Sequence, residues 1–185
     1  MDQTDDEVAL VRRAQSGDQA AFALLVQRYS GAIFNQAYRM LNHVQEAEDA
    51  VQEVFMRAYH RLDTFATERR FVAWLLTIGN NYCIDRLRRR RMRWLTLDDV
   101  AFWLTGDAPS PEDLAILHES RTKVQEALQE LPETYRSVVI LRYWHDLSYL
   151  EIAEALDVSE AAVKTRLHRG RKFLTDLLEQ HAEER

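Results

Sequence analysis

The chain has 185 residues and a net charge of −6, with 46% hydrophobic and 29% charged residues, proportions that suit soluble globular helices and not disorder. Five glycines and three prolines are too few for a turn-rich all-β fold, and the one cysteine, Cys83, permits neither an internal disulfide nor a cysteine-based zinc site, which suits a reducing cytoplasm. No apolar run approaches ~18 residues, and the acidic start MDQTDDEVAL lacks the apolar core of a signal peptide.

Residues 4–16 are predicted to form a short helix, with Thr4 and Glu7 spaced as a capping box. A second helix follows Gly17-Asp18 and carries Phe22, Leu25, Val26, Tyr29, Ile33 and Ala37 at three- and four-residue steps. The third has the clearest stripe: Ala47, Ala50, Val51, Val54, Phe55, Ala58, Tyr59 and Leu62. A fourth runs from about Glu68 into NYCIDRLRRRRMRW, residues 81–94, with Phe71, Trp74, Leu75, Ile78 and Tyr82 turned inward. Four such faces can bury one another as a helical domain.

Periodicity weakens after Trp94, and TLDDVAFWLTGDAPSPED reads as a linker. Ser110-Pro111 has the chemistry of a helix start, followed by Leu114, Leu117, Val124, Leu128 and Leu131. Pro132 restarts a helix through Tyr135, Val138, Val139 and Leu141. Two short helices, 149–156 and 160–177, flank Asp157-Val158-Ser159. The expected fold is all-α: two small helical domains joined by a flexible linker, divided as 1–93, 94–111 and 112–185.

The last pair has the pattern of a helix-turn-helix. Ser148 and Glu151 form a capping box, Ile152 and Leu156 face inward, small Ala153 lets the next helix approach, Val158 plugs the turn, and Ser159 caps the second helix. Asp157 stands where Gly is common, and Asp tolerates a left-handed backbone better than most residues. On a helical wheel Val163, Leu167, Gly170 and Leu174 share one arc; Lys164, Thr165, His168 and Lys172 share another, flanked by Arg169 and Arg171. The second arc combines cations for phosphates with a hydroxyl and an imidazole for base edges. The plain alternative is a solvated amphipathic helix. The pattern by itself marks a DNA-binding module and nothing narrower.

On the third helix Glu46, Asp49, Gln52, Glu53 and Met56 lie opposite the apolar stripe, either as an ordinary charged face or as a dock for a basic partner. In the arginine run, Arg88 and Arg91 fall on the arc of Thr77, Asn80 and Asn81. Arg86 and Arg90 lie beside the apolar arc, where they could reach duplex phosphates, and Arg89 and Arg93 extend that arc.

DQAAFALLVQRY, EAEDAVQEVFMRAYHRLDTF, FVAWLLTIGNNYCIDRLRRR and LPETYRSVVILRYWHDLSYLEIAEALDVSEAAVKTRLHRGRKFL, in this order, resemble the extracytoplasmic-function sigma factors of bacterial RNA polymerase, over roughly residues 5–178. The resemblance implies a helical region 2 and a helix-turn-helix region 4. Region 2 would dock on the coiled coil of the largest core subunit through Glu46, Asp49, Gln52 and Glu53. It would read and melt the −10 element with Phe65, Asn80 and Asn81, to which the wheel adds Arg88 and Arg91. Region 4 would read the −35 element with Arg142, Lys164, Thr165, His168, Arg169, Arg171 and Lys172. Core packing is the rival role for Phe65, and the favoured one for Trp74 and Tyr82, which share the apolar arc.

The partners implied are the RNA polymerase core, also through the flap of its second subunit, promoter DNA, and an anti-sigma factor. No small-molecule substrate, cofactor, metal or catalytic residue is expected: the six histidines show no metal-ligand spacing such as HExxH, and no Gly-rich phosphate loop is present. A DNA-binding regulator acting without core, or a decoy holding another partner, are the rival readings. The acidic third-helix face opposes the first, and basic faces on both domains oppose the second.

Overall fold

The computed structural model describes residues 3–96 and 115–183, with side chains described over 6–92 and 123–179. Its helices are α1 (Gln3–Gln15), α2 (Gln19–Leu41), α3 (Val44–Arg61), α4 (Phe71–Thr96), α5 (Ala115–Glu130), α6 (Glu133–Tyr143), α7 (Tyr149–Leu156) and α8 (Glu160–Glu183), with a 3-10 turn at Leu62–Thr64. Among the described residues there is no strand, and the fold is all-α, built from two helical units. The expected linker lies mostly outside the described residues, as does the expected start at Ser110-Pro111; α4 carries on through residues 94–96, which the sequence reading had given to the linker.

Local chemistry sets the helix ends. Asp18 caps α2 by accepting the Ala21 N–H at 3.0 Å, while its other oxygen takes the Arg13 guanidinium at 2.7 Å. These two bonds, the Ala21 N–H foremost, hold the Asp18 carboxyl below its usual range. α2 ends at Asn42, in the left-handed region at φ 53°. Glu7, the acidic member of the box read in α1, reaches across the fold. Its carboxylate accepts the Phe71 N–H at 3.2 Å and the Tyr29 hydroxyl, so α1 caps α4 across the fold. An orphan N–H at a helix start needs an acceptor, and an anion there also meets the favourable end of the helix dipole. The Thr4 side chain lies outside the described residues.

The first core gathers Leu25, Ile33 and Met40 of α2 with Val54 of α3 and Phe71, Leu75 and Leu76 of α4, none measurably exposed. The second gathers Leu128, Ile140, Leu141, Leu147, Ile152 and Val163. Truncating any of these to Ala would cost about 2–5 kcal/mol. The two units also pack on each other, which the linker reading did not anticipate: α2 meets α5 and α6, and α4 meets α6 and α7.

That contact completes α2. The last four carbonyls of a helix have no partner within it. Here Tyr38 O, already bonded to the Asn42 N–H at 2.8 Å, also accepts from Gln125 at 3.1 Å, Arg39 O accepts from Gln129 at 2.8 Å, Met40 O from Arg136 at 2.6 Å and Leu41 O from Arg90 at 3.2 Å. Three of these four side-chain donors belong to the C-terminal unit.

Candidate nucleic-acid interface

α7 and α8 form the helix-turn-helix. Both arms of the Ser148–Glu151 box are present, at 3.2 Å and 2.7 Å. Asp157 ends α7 at φ 51°, ψ 53°, the left-handed geometry that its position requires. The Ser159 hydroxyl accepts the Ala162 N–H at 3.2 Å and so caps α8. Val163 and Leu167 are buried, and Gly170 sits where an added Cβ would come within 2.9 Å of Val139. With that arc locked inward, Lys164, Thr165, His168, Arg169, Arg171 and Lys172 all lie exposed on the outer arcs.

Arg142 stands beside them in another capacity. It donates to the Leu147 carbonyl at 2.9 Å and lies over the Tyr149 ring at 5.7 Å, while Lys164 meets the same ring at 5.9 Å. Tyr149 thus sits between two cations at the start of α7. The sequence reading passed over it; its only signal was an aromatic directly after a helix cap.

On α4, Asn81, Arg88 and Arg91 are exposed. Phe65 and Asn80, expected beside them, are buried in this structure. Phe65, 6% exposed, packs edge-on to Phe71 with ring centroids 5.3 Å apart, and lies 5.0 Å from Trp74. Asn80 is 3% exposed, and at the preceding Gly79 α4 crosses α2 so closely that an added Cβ would meet Gln36 Oε1 at 2.4 Å. Trp74 joins the Phe65 and Phe71 rings, and Tyr82 packs against the core beneath the Arg57 guanidinium at 5.6 Å.

The arginine run is divided by its surroundings. Arg86 reaches Glu46 at 3.5 Å, and Arg90 pairs with the same carboxylate. Both are therefore turned to α3 and the end of α2 in this structure. Arg89 is exposed, and the Arg93 side chain lies outside the described residues. On α3, Glu46 is largely covered by its two arginines, and Glu53 is half-buried against Arg57 at 2.7 Å, while Asp49 and Gln52 stand open. Cys83, buried beneath this face, has its thiol pushed up to about 12, by burial first and then by Glu46.

A family model for sigma-70 region 2 matches residues 25–93, and one for sigma-70, region 4 matches residues 121–174. The chain is 38% identical over 172 residues to the ECF RNA polymerase sigma factor SigW of Bacillus subtilis, covering 89% of this chain and 92% of SigW. This chain is an extracytoplasmic-function sigma factor of the sigma-70 family.

It is also 34% identical over 181 residues to the ECF RNA polymerase sigma-E factor of Escherichia coli K12, covering 94% of each. Among solved structures it resembles CnrH in complex with the cytosolic domain of CnrY, with a TM-score of 0.70 and 32% identity over 94% of this chain and 97% of that one. It likewise resembles the sigma factor RpoE in complex with the anti-sigma factor NepR from Bartonella quintana, with a TM-score of 0.71 and 25% identity over 85% and 96% of the two chains. As a sigma factor, the protein directs promoter-specific initiation of transcription with core RNA polymerase, as a specificity subunit. Among its described residues no helix is long and apolar enough to cross a membrane.

The sequence reading of this sigma factor also missed Gln125, Gln129 and Arg136, which join the units, and Arg69 and Arg70. Their role depends on residues far along the chain, so no local spacing marks them.

Proposed function

We propose that α8 reads the −35 element with Lys164, Thr165, His168, Arg169, Arg171 and Lys172, joined by Arg142, which like Lys164 lies against Tyr149 at the start of α7. The observation that carries this reading is the split of α8 into a locked apolar arc and exposed basic arcs. Cations on such a face supply phosphate affinity, and Thr165 and His168 supply base-edge chemistry.

Asn81, Arg88 and Arg91 take the −10 strand, with Phe65 and Asn80 shaping the helix behind them. Melting costs a few kcal/mol per base, offset when a flipped base finds hydrogen bonds and a surface to stack on. Asp49, Gln52 and the outer edge of Glu53 dock on the coiled coil of the largest core subunit, with Glu46 tying that face to α4. The flap of the second subunit meets the C-terminal unit. The protein contributes no catalytic group of its own and works in the cytoplasm. An anti-sigma factor holds it inactive; its structural likeness to RpoE solved with NepR supports that partner.

A compact body of this length is roughly 40 Å across. Two DNA turns span ~68 Å. Engaging both elements at once therefore requires the units, taken as residues 1–93 and 112–185, to part on their linker.

Affinity for core tests the docking face. Asp49→Arg with Glu53→Arg should weaken core binding by tenfold or more while leaving the salt dependence of −35 duplex binding as in the wild type. Wild-type affinity for core would refute the assignment.

A further inference from the structure

The segment leading into α4 carries two exposed arginines that the promoter reading leaves unused. Arg70 donates to Glu151 at 3.2 Å and Arg69 pairs with Glu154 at 3.5 Å. Both carboxylates belong to α7, in the other unit, on residues one helical turn apart whose Cβ atoms are ~5–6 Å from each other. Glu151 uses its second oxygen for the capping box, so the Arg70 contact is an addition to its structural task. Exposed ion pairs of this kind are weak, so an arginine in one is open to exchange for another anion.

The wheel of α4 places Arg70 relative to the rest of the helix. Carried back at ~100° per residue, Arg70 falls within ~20° of Asn81 and on the same line as Arg88. Arg70 and Arg88 thus mark the ends of a stripe about 27 Å long, with Trp74, Thr77 and Asn81 along it. Trp74 and Thr77 are partly buried, and Asn81 is open. Cations at both ends with an aromatic and an amide between them make a track for a single strand. Guanidinium binds phosphate and carboxylate through the same fork of donors.

We propose that Arg69 and Arg70 bind backbone phosphates of the strand that α4 reads, and that Glu151 and Glu154 stand in for those phosphates while the units are closed. This rests on the reading of α4 as the −10 helix. When the units part, the carboxylates leave with α7 and the arginines meet DNA.

The test uses the full chain and fluorescein-labelled oligo(dT), whose phosphates are read without regard to sequence. Glu151→Gln keeps a capping-box residue at its position, so Glu151→Gln with Glu154→Gln removes charge and not the helix start; thermal unfolding checks this. That pair should bind oligo(dT) roughly threefold to tenfold more tightly than wild type. Adding Arg69→Ala and Arg70→Ala should abolish the gain and make the salt dependence shallower by about 1.4, at ~0.7 per lost single-strand phosphate contact. Arg69→Lys with Arg70→Lys should retain the steeper slope. The proposal is overturned if the glutamine pair binds no more tightly than wild type, or if its gain persists undiminished without the arginines. Failure of the promoter reading shows elsewhere, as a wild-type chain that gives core no promoter specificity, and leaves these slopes in place.

Discussion

Arg136 donates to the Met40 carbonyl at 2.6 Å, and this bond joins a buried cation of the C-terminal unit to the last turn of α2. The same guanidinium reaches Gln129 Oε1 at 2.8 Å, Gln129 O at 2.6 Å and Leu131 O at 3.0 Å. It therefore closes the carbonyl ends of α2 and α5 together, where a cation is favoured by both helix dipoles. Burial pulls its pKa down, and Glu133 opposes that. Arg136→Met should lower stability by about 2–4 kcal/mol, since it leaves several buried carbonyls unpaired. Arg136→Lys should recover only part, lacking the planar fork. Urea unfolding measures both; a loss within about 0.5 kcal/mol for Arg136→Met would contradict the account.

The close crossing of α2 and α4 makes Gly79 a packing residue. Gln36 is 1% exposed and donates to the Leu76 carbonyl at 2.9 Å, so its amide is held in place. Gly79→Ala should cost about 1–3 kcal/mol by overpacking. In combination with Gln36→Ala the two changes should couple by about 0.5 kcal/mol or more, because the second removes the clash created by the first. Additive losses in the double variant would show that the crossing is not the cause.

Asp157 occupies a left-handed position that glycine adopts without penalty. Asp157→Gly should raise stability by roughly 0.5–1 kcal/mol. Its effect on −35 binding should be small, because Asp157 lies outside the basic arcs of α8. A thermal midpoint that falls would argue that the Asp157 side chain, and not its backbone, holds the turn.

His145 gives the fold a pH dependence. Burial first, and the nearby Arg39 charge second, push its pKa down to about 4. Its Nε2 is buried without a hydrogen-bond partner. The unfolded chain takes up this proton near pH 6.5 while the folded chain does not, so stability is full above that value and declines as pH falls towards 4. Between pH 7 and pH 5 this single group should remove about 2 kcal/mol. Unfolding free energies of wild type and His145→Gln across that range should diverge in slope by this amount. Parallel slopes would count against it.

Much of this was legible in the sequence because its causes are local. The inward arcs of α3 and α8 follow from helical period, and the Ser148–Glu151 box and the Asp157 turn act within three or four residues. What could not be read depends on distant partners. Asn80 shares an arc with exposed Arg88 and Arg91, yet is buried. Phe65 is claimed by Phe71 and Trp74, and Arg86 and Arg90 by Glu46. Glu7 has the spacing to cap its own helix and instead caps α4, 64 residues away in sequence. Each of these outcomes is set by a neighbour distant in sequence, which no local spacing reports.

The central claim is that this chain gives core RNA polymerase a promoter through the exposed face of α8. Run-off transcription from genomic fragments, with core alone, with wild type, and with Lys164→Ala/Arg169→Ala, tests it most directly. The account predicts discrete transcripts with wild type, none with core alone, and a loss of tenfold or more with the double variant while core affinity is unchanged. Equal transcription by the double variant, or no discrete transcript with wild type, would contradict it.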